Sequence, residues 1–96
     1  VRLTKTRRAA ELAKALSLNP VDGAEIELRS NLNAKIVEVV QRKRLTHAEV
    51  ARLAGTSRTR VTAIMNRNTN QISTDLLLRV LYALGYTAKI TFQRVS

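Results

Sequence analysis

The stretch "LTHAEVARLAGTSRTRVTAIMNR", residues 45–67, constrains the fold more than any other part of the chain. Thr46 is an N-cap candidate and Glu49 stands three residues later, the spacing of a capping box. Val50 and Leu53, with Ala51 and Ala54, are expected to supply the buried side of the helix that follows. Gly55 stops it, because glycine enters the left-handed conformation without a Cβ penalty. Ser57 then caps a second helix whose inner stripe is Val61, Ile64 and Met65. Two short helices joined by a tight glycine turn must cross steeply.

The flanks supply the support. Asn19 and Pro20 suit an N-cap and a first helical position, and Asp22 favours the helix dipole in the first turn. A long helix is expected to run to about Lys43. Leu28, Leu32, Ile36, Val39 and Val40 form its buried stripe, and Gln41, Arg42 and Lys43 close it. Before it, residues 6–17 read as a short alanine-rich helix on Ala9, Leu12, Ala13 and Leu16. After the quoted stretch, the polar run 66–73 marks a loop. Ser73 caps a last helix with Leu77, Val80, Leu81 and Leu84 inward, ended by Gly85.

The tail "YTAKITFQRV" changes period: Ala88, Ile90, Phe92 and Arg94 share one face. Alternation with Ile, Thr and Phe predicts a β-strand. The chain offers no second strand, so backbone groups and an apolar face would stay uncovered unless a partner chain supplied them. The expectation is an antiparallel pair across a homodimer two-fold, with Ala88, Ile90 and Phe92 as dimerisation residues. The fold class is therefore mainly α, a compact five-helix domain with a C-terminal strand. Residues 1–19 form an N-terminal arm, and 20–96 the domain proper.

Charge narrows the partners. Seventeen Lys and Arg face seven Asp and Glu, a formal charge of +10, and a surface so cationic repels itself unless an anion offsets it. Nucleic acid, an acidic membrane or an acidic protein would do so. Tyr82, Tyr86 and Phe92 are the only aromatic residues. Single-strand readers stack bases on such rings, so their scarcity tilts the reading toward duplex DNA. The chain has no cysteine and one histidine, which gives no basis for a metal site or disulfide framework. No cofactor is expected. No apolar run approaches a membrane span and no signal-peptide core is visible, so a cytoplasmic protein is expected.

A duplex-reading helix must be locked on its inner face, present readers from its N-terminal half, and begin near a phosphate. Residues 57–66 meet these needs. Arg58, Thr59, Thr62 and Ala63 lie opposite Val61 and Ile64 and are the base-contacting candidates. Arginine is the commonest reader of guanine, and threonine offers a hydroxyl or a methyl group. Thr46, His47, Ser57, Arg60, Asn66, Arg67 and Asn68 are the candidates for DNA backbone contacts, which position the protein without choosing sequence. Asn70 could join that clamp.

At this point the stretch resembles the helix-turn-helix of the Cro/repressor-like (XRE) DNA-binding proteins. The shared residues are Leu45-Thr46, Ala48-Glu49-Val50-Ala51, Gly55, Ser57, Val61 and Ile64. The later "STDLLLRVLYALGY" with a terminal strand is similar to a subgroup that includes HigA-type antitoxins. The resemblance covers about residues 25–94 and implies a lambda-repressor-like fold. It also implies base-facing roles for Arg58, Thr59, Thr62 and Ala63, and phosphate contacts for Thr46 and His47. Two departures stand out. The family often has glutamine where His47 stands, and glycine where Arg44 stands. An arginine at 44 would need an unusual backbone or a different turn.

Three functions follow. The first is a dimeric sequence-specific repressor reading double-stranded DNA. The second is an antitoxin that neutralises a toxin protein and represses its own operon, with segment 1–22 free to contact that partner. The third is an enzyme, which ranks last: no carboxylate pair, metal cluster or nucleophile–base set stands at usable spacing.

Overall fold

A computed structural model describes residues 20–95. The expected helix over 6–17, the Asn19 cap and the arm 1–19 lie outside those residues. Four helices are described: α1 (Pro20–Lys43), α2 (His47–Ala54), α3 (Arg58–Met65) and α4 (Thr74–Ala83). Among the described residues there is no strand.

Local chemistry sets the helix starts. Thr46 Oγ1 accepts the Glu49 N–H while the Glu49 carboxylate accepts the Thr46 N–H, closing the expected capping box. Ser57 and Ser73 each accept the backbone N–H three residues on. The helix ends follow one pattern. In each, the N–H two residues past the last turn reaches back five residues, and its predecessor reaches back three: Leu45 to Val40, Thr56 to Ala51, Asn68 to Ala63 and Tyr86 to Leu81. This is the Schellman motif, whose pivot residue must be left-handed. The four pivots are Arg44 (φ 54°), Gly55 (φ 67°), Arg67 (φ 61°) and Gly85 (φ 93°). Arg44 thus takes the unusual backbone that its position demands, and Arg67 does the same.

The core is one cluster. Leu32, Ile36, Val39 and Val40 of α1 meet Val50, Ala51 and Ala54 of α2, Val61 and Ile64 of α3, and Leu77, Val80, Leu81 and Leu84 around α4. Ile72 also enters it from the polar loop 66–73. Arg29 touches Thr74 at the start of α4, and Lys43 touches Leu84 at its end, so α1 and α4 run side by side in the same direction.

That register explains one misplaced residue. Residues before Arg29 outrun α4, so Leu28 is exposed and does not continue the buried stripe. Leu53 is also a correction: it is 55% exposed. At ~100° per residue, Val50, Ala51 and Ala54 share one direction, and Leu53 falls roughly a quarter-turn or more outside it.

The C-terminal strand expected over 86–95 is not formed. A strand is completed by a hydrogen-bonded neighbour, and the described chain has no second extended segment beside it. Tyr86 still fixes the root of this tail. Its ring lies 4.9 Å from Lys35 Nζ, 5.8 Å from the Arg42 guanidinium and 5.8 Å from Lys43 Nζ, and Arg42 donates to its hydroxyl. Ala88 packs against the core, whereas Ile90 and Phe92 are exposed, Phe92 almost fully at 94%.

Candidate nucleic-acid interface

α2 and α3 are each eight residues long, and the glycine turn that joins them is held by Thr56 N–H on Ala51 O. Val50, Ala51 and Ala54 on one side and Val61 and Ile64 on the other lock the pair onto α1 and α4. What remains outside is cationic. From residue 44 to 67 the chain carries Arg44, Arg52, Arg58, Arg60 and Arg67, all exposed, against the single carboxylate Glu49. That carboxylate is committed: the backbone N–H and the hydroxyl of Thr46 hold Glu49 below the ordinary glutamate range, and the Arg52 charge adds to this. The α2–α3 segment therefore carries a net positive charge of the kind that attracts a phosphate backbone.

The reading candidates divide into three kinds. Arg58 and Thr59, in the first turn of α3, are exposed. Ala63 is half-buried and leans on the core, so only part of it could meet a base. Thr62 is half-buried and engaged: its Oγ1 lies 2.8 Å from His47 Nδ1. This bond joins a backbone-contact candidate on α2 to a base-contact candidate on α3. Thr46, His47, Ala48 and Arg58 line an open groove of about 520 Å³ between the two helices. The Ser57 oxygen accepts a cap hydrogen bond, which leaves its hydroxyl hydrogen available to an incoming acceptor, whereas the Thr46 hydroxyl is committed to Glu49. Arg60, Asn66, Arg67 and Asn68 are exposed at the flank and just beyond α3.

Sequence reasoning missed the residues that hold this apparatus. Asn33, the buried polar side chain of α1, donates to the carbonyl of Ile64 at 2.8 Å and so fixes the last turn of α3. Arg29 donates to Thr69 O at 2.8 Å, Ile72 O at 2.5 Å and Thr74 Oγ1 at 2.9 Å. One guanidinium thereby shapes the loop that carries Arg67, Asn68 and Asn70. Lys43 donates to Leu84 O at 2.9 Å and closes the end of α4. The only advance signal was the cation-rich end of α1, which also reads as a solubility feature.

A compact helical bundle with two short helices across a glycine turn, the second bearing exposed arginines, defines a helix-turn-helix protein. A family model described as a helix-turn-helix domain matches residues 9–93, and the chain belongs to that family. It is thus a helix-turn-helix DNA-binding protein. Neither the comparison with curated proteins nor that with solved structures found a match. Among the described residues, no helix is long and apolar enough to cross a membrane.

Proposed function

We propose that this protein is a dimeric, sequence-specific transcriptional regulator, a repressor that reads the major groove of double-stranded DNA with α3. The observation that carries the reading is the α2–α3 pair, locked from inside and lined outside by five arginines and one committed carboxylate. Arg58 and Thr59 read bases from the exposed first turn, with Thr62 and Ala63 behind them. Thr46, His47, Ser57, Arg60, Asn66, Arg67 and Asn68 hold the backbone. The resemblance to the Cro/repressor-like (XRE) proteins supports these roles.

The tail supports a dimer. Ile90 and Phe92 expose an apolar edge whose backbone groups lack a neighbouring row. A second copy docking on Ile90 and Phe92 would cover them, whereas Ala88, expected beside them in the interface, packs on its own core. Two reading helices would then meet half-sites about one helical turn, ~34–36 Å, apart. The protein works by binding in the cytoplasm, without catalysis. The second reading, an antitoxin that neutralises a toxin and represses its own operon, is supported by the HigA-like succession of a last helix and an alternating tail. Segment 1–22 is its candidate toxin contact.

The test is fluorescence anisotropy of the purified protein on DNA from upstream of its own gene, with a scrambled duplex of equal length, across salt. A cognate preference of ~10³ or more at physiological salt is expected of a specific operator binder. Equal, steeply salt-dependent binding to both would refute autoregulation at that site.

A further inference from the structure

The His47–Thr62 bond has a polarity, and the polarity matters. A neutral imidazole has one N–H and one acceptor nitrogen, whereas a protonated one has two N–H donors. Among the described residues, Nδ1 has Thr62 Oγ1 as its partner at 2.8 Å and Nε2 has none. If Nε2 carries the only proton, Nδ1 accepts the Thr62 O–H. The hydroxyl hydrogen is then consumed, and Thr62 shows a base only lone pairs. If the ring is protonated, Nδ1–H donates to Oγ1, and the Thr62 hydrogen is free to point outward.

We infer that His47 sets the direction of the Thr62 hydroxyl, and so makes one position of the base preference of α3 depend on the charge of an imidazole on the neighbouring helix. This rests on the reading of α3 as a base-contacting helix. With neutral His47 in its Nε2–H tautomer, Thr62 accepts, which suits a base offering an amino group, adenine N6 or cytosine N4. With charged His47, Thr62 donates, which suits guanine O6 or N7 and thymine O4. A phosphate oxygen at Nε2 accepts the Nε2 proton, which both the neutral Nε2–H tautomer and the imidazolium carry. It excludes the Nδ1–H tautomer, so ring charge alone then sets whether Nδ1 accepts or donates, and its own negative charge favours the donating, charged ring. Backbone contact and base choice are thus coupled through one ring. Proton balance is simple: one proton taken from solvent onto the ring reverses one hydrogen bond, and no other group changes state.

Few charged groups face this ring. α2 packs on α3 and α4. From α3, Arg58 lines the same groove as His47, and α4 contributes no side chain to that groove. On α2 itself Glu49 is bound to Thr46, two residues away. Imidazole is the side chain that changes charge in the physiological range.

The experiment is selection from a randomised duplex library at about pH 5.5 and about pH 8, a range that spans imidazole titration. The wild type, His47→Gln and the near-isosteric Thr62→Val would be compared, each checked for folding by thermal melting. The wild type should change its preferred base at one position per half-site. The two competing bases should differ by roughly fivefold in each direction, the effect of one net hydrogen bond. His47→Gln should give one preference at both pH values. Thr62→Val should lose the switch in base preference yet keep any pH dependence of overall affinity, since the ring can still meet a phosphate. An identical wild-type preference at both pH values, or a switch that survives in Thr62→Val, overturns the inference while leaving α3 as the reader. If no sequence is enriched at either pH, the base-reading assignment of α3 fails, and this inference falls with it.

Discussion

Arg67→Gly should make the protein more stable and a weaker DNA binder at once. Arg67 is the pivot of the Schellman motif that ends α3, at φ 61°, with Asn68 N–H on Ala63 O at 2.9 Å and its own N–H on Ile64 O at 3.1 Å. The geometry is that of Gly55 and Gly85, but with a Cβ in the left-handed region. A non-glycine residue there costs about 1–2 kcal/mol. Glycine removes that strain but frees the unfolded chain by roughly 0.4–1 kcal/mol. The net gain should be about 0.5–1 kcal/mol, or roughly 2–8 °C in Tm for a chain of this size. The lost guanidinium acts in the other direction on DNA. If Arg67 holds one phosphate, the slope of log K against log salt should shrink by about 0.9, and affinity should fall equally on cognate and scrambled duplexes. Arg67→Ala separates the two effects, because it keeps the strain and loses the charge; it should weaken binding without raising Tm. Arg44→Gly should give the same stabilisation at the end of α1. Differential scanning calorimetry and anisotropy titrations over salt read both quantities. A lower Tm for Arg67→Gly would refute the strain argument, and an unchanged salt slope would refute the phosphate contact.

Other changes should act more narrowly. Arg58→Ala should cost roughly 1–3 kcal/mol on the cognate site and relax preference at one base pair; equal losses on cognate and scrambled DNA would show that Arg58 is not a reader. Arg29→Ala should cost about 2–3 kcal/mol in a urea melt, because two loop carbonyls and Thr74 lose a charged donor; a change under about 0.5 kcal/mol would mean the loop holds itself. Phe92→Glu should convert a dimer to monomers in sedimentation without lowering helix content, whereas an intact dimer would remove the tail from the interface. Glu49 has a depressed pKa in the folded state, so its contribution is present above the ordinary glutamate value of 4.5 and is lost as pH falls through the folded value. Glu49→Gln should therefore flatten the acid limb of a Tm–pH profile; an unaltered limb would assign acid unfolding to other carboxylates.

What could be read in advance, and what could not, divides by sequence distance. The capping box of Thr46 and Glu49, the Ser57 and Ser73 caps and the Gly55 turn are bonds between residues three to five apart, so the residue types disclose them. The stripe Leu77, Val80, Leu81 and Leu84 was legible for the same reason, since its period is that of the helix itself. The base-reading candidates were legible only as surface positions. That Thr62 is tied to His47, fifteen residues away, depends on how α2 crosses α3. Arg29 and Asn33 were not legible at all. Their partners lie 31 to 45 residues away and are reached only because α1 packs against both α3 and α4 in a fixed register.

Arg67 escaped for a different reason, and Arg44 stood out only because the similar family often has glycine there. An arginine carries no local mark of a left-handed backbone, and what forces φ positive is the pair of hydrogen bonds closing the helix behind it. Glycine would relieve that conformation at no steric cost, as it does at residues 55 and 85. Two strained arginines at helix ends that flank the reading pair are therefore explained better by their charge than by their backbone. A cation at a helix C-terminus gains only about 0.3–1 kcal/mol from the dipole, less than the strain it accepts. On the proposed reading a phosphate on the outer side offsets the strain of Arg67 in the DNA complex, and the same reasoning would extend the DNA-facing set to Arg44, just ahead of Thr46 and His47. The salt slope of Arg44→Gly decides that extension: a reduction matching that of Arg67→Gly puts Arg44 on the backbone, and none leaves it as a helix terminator.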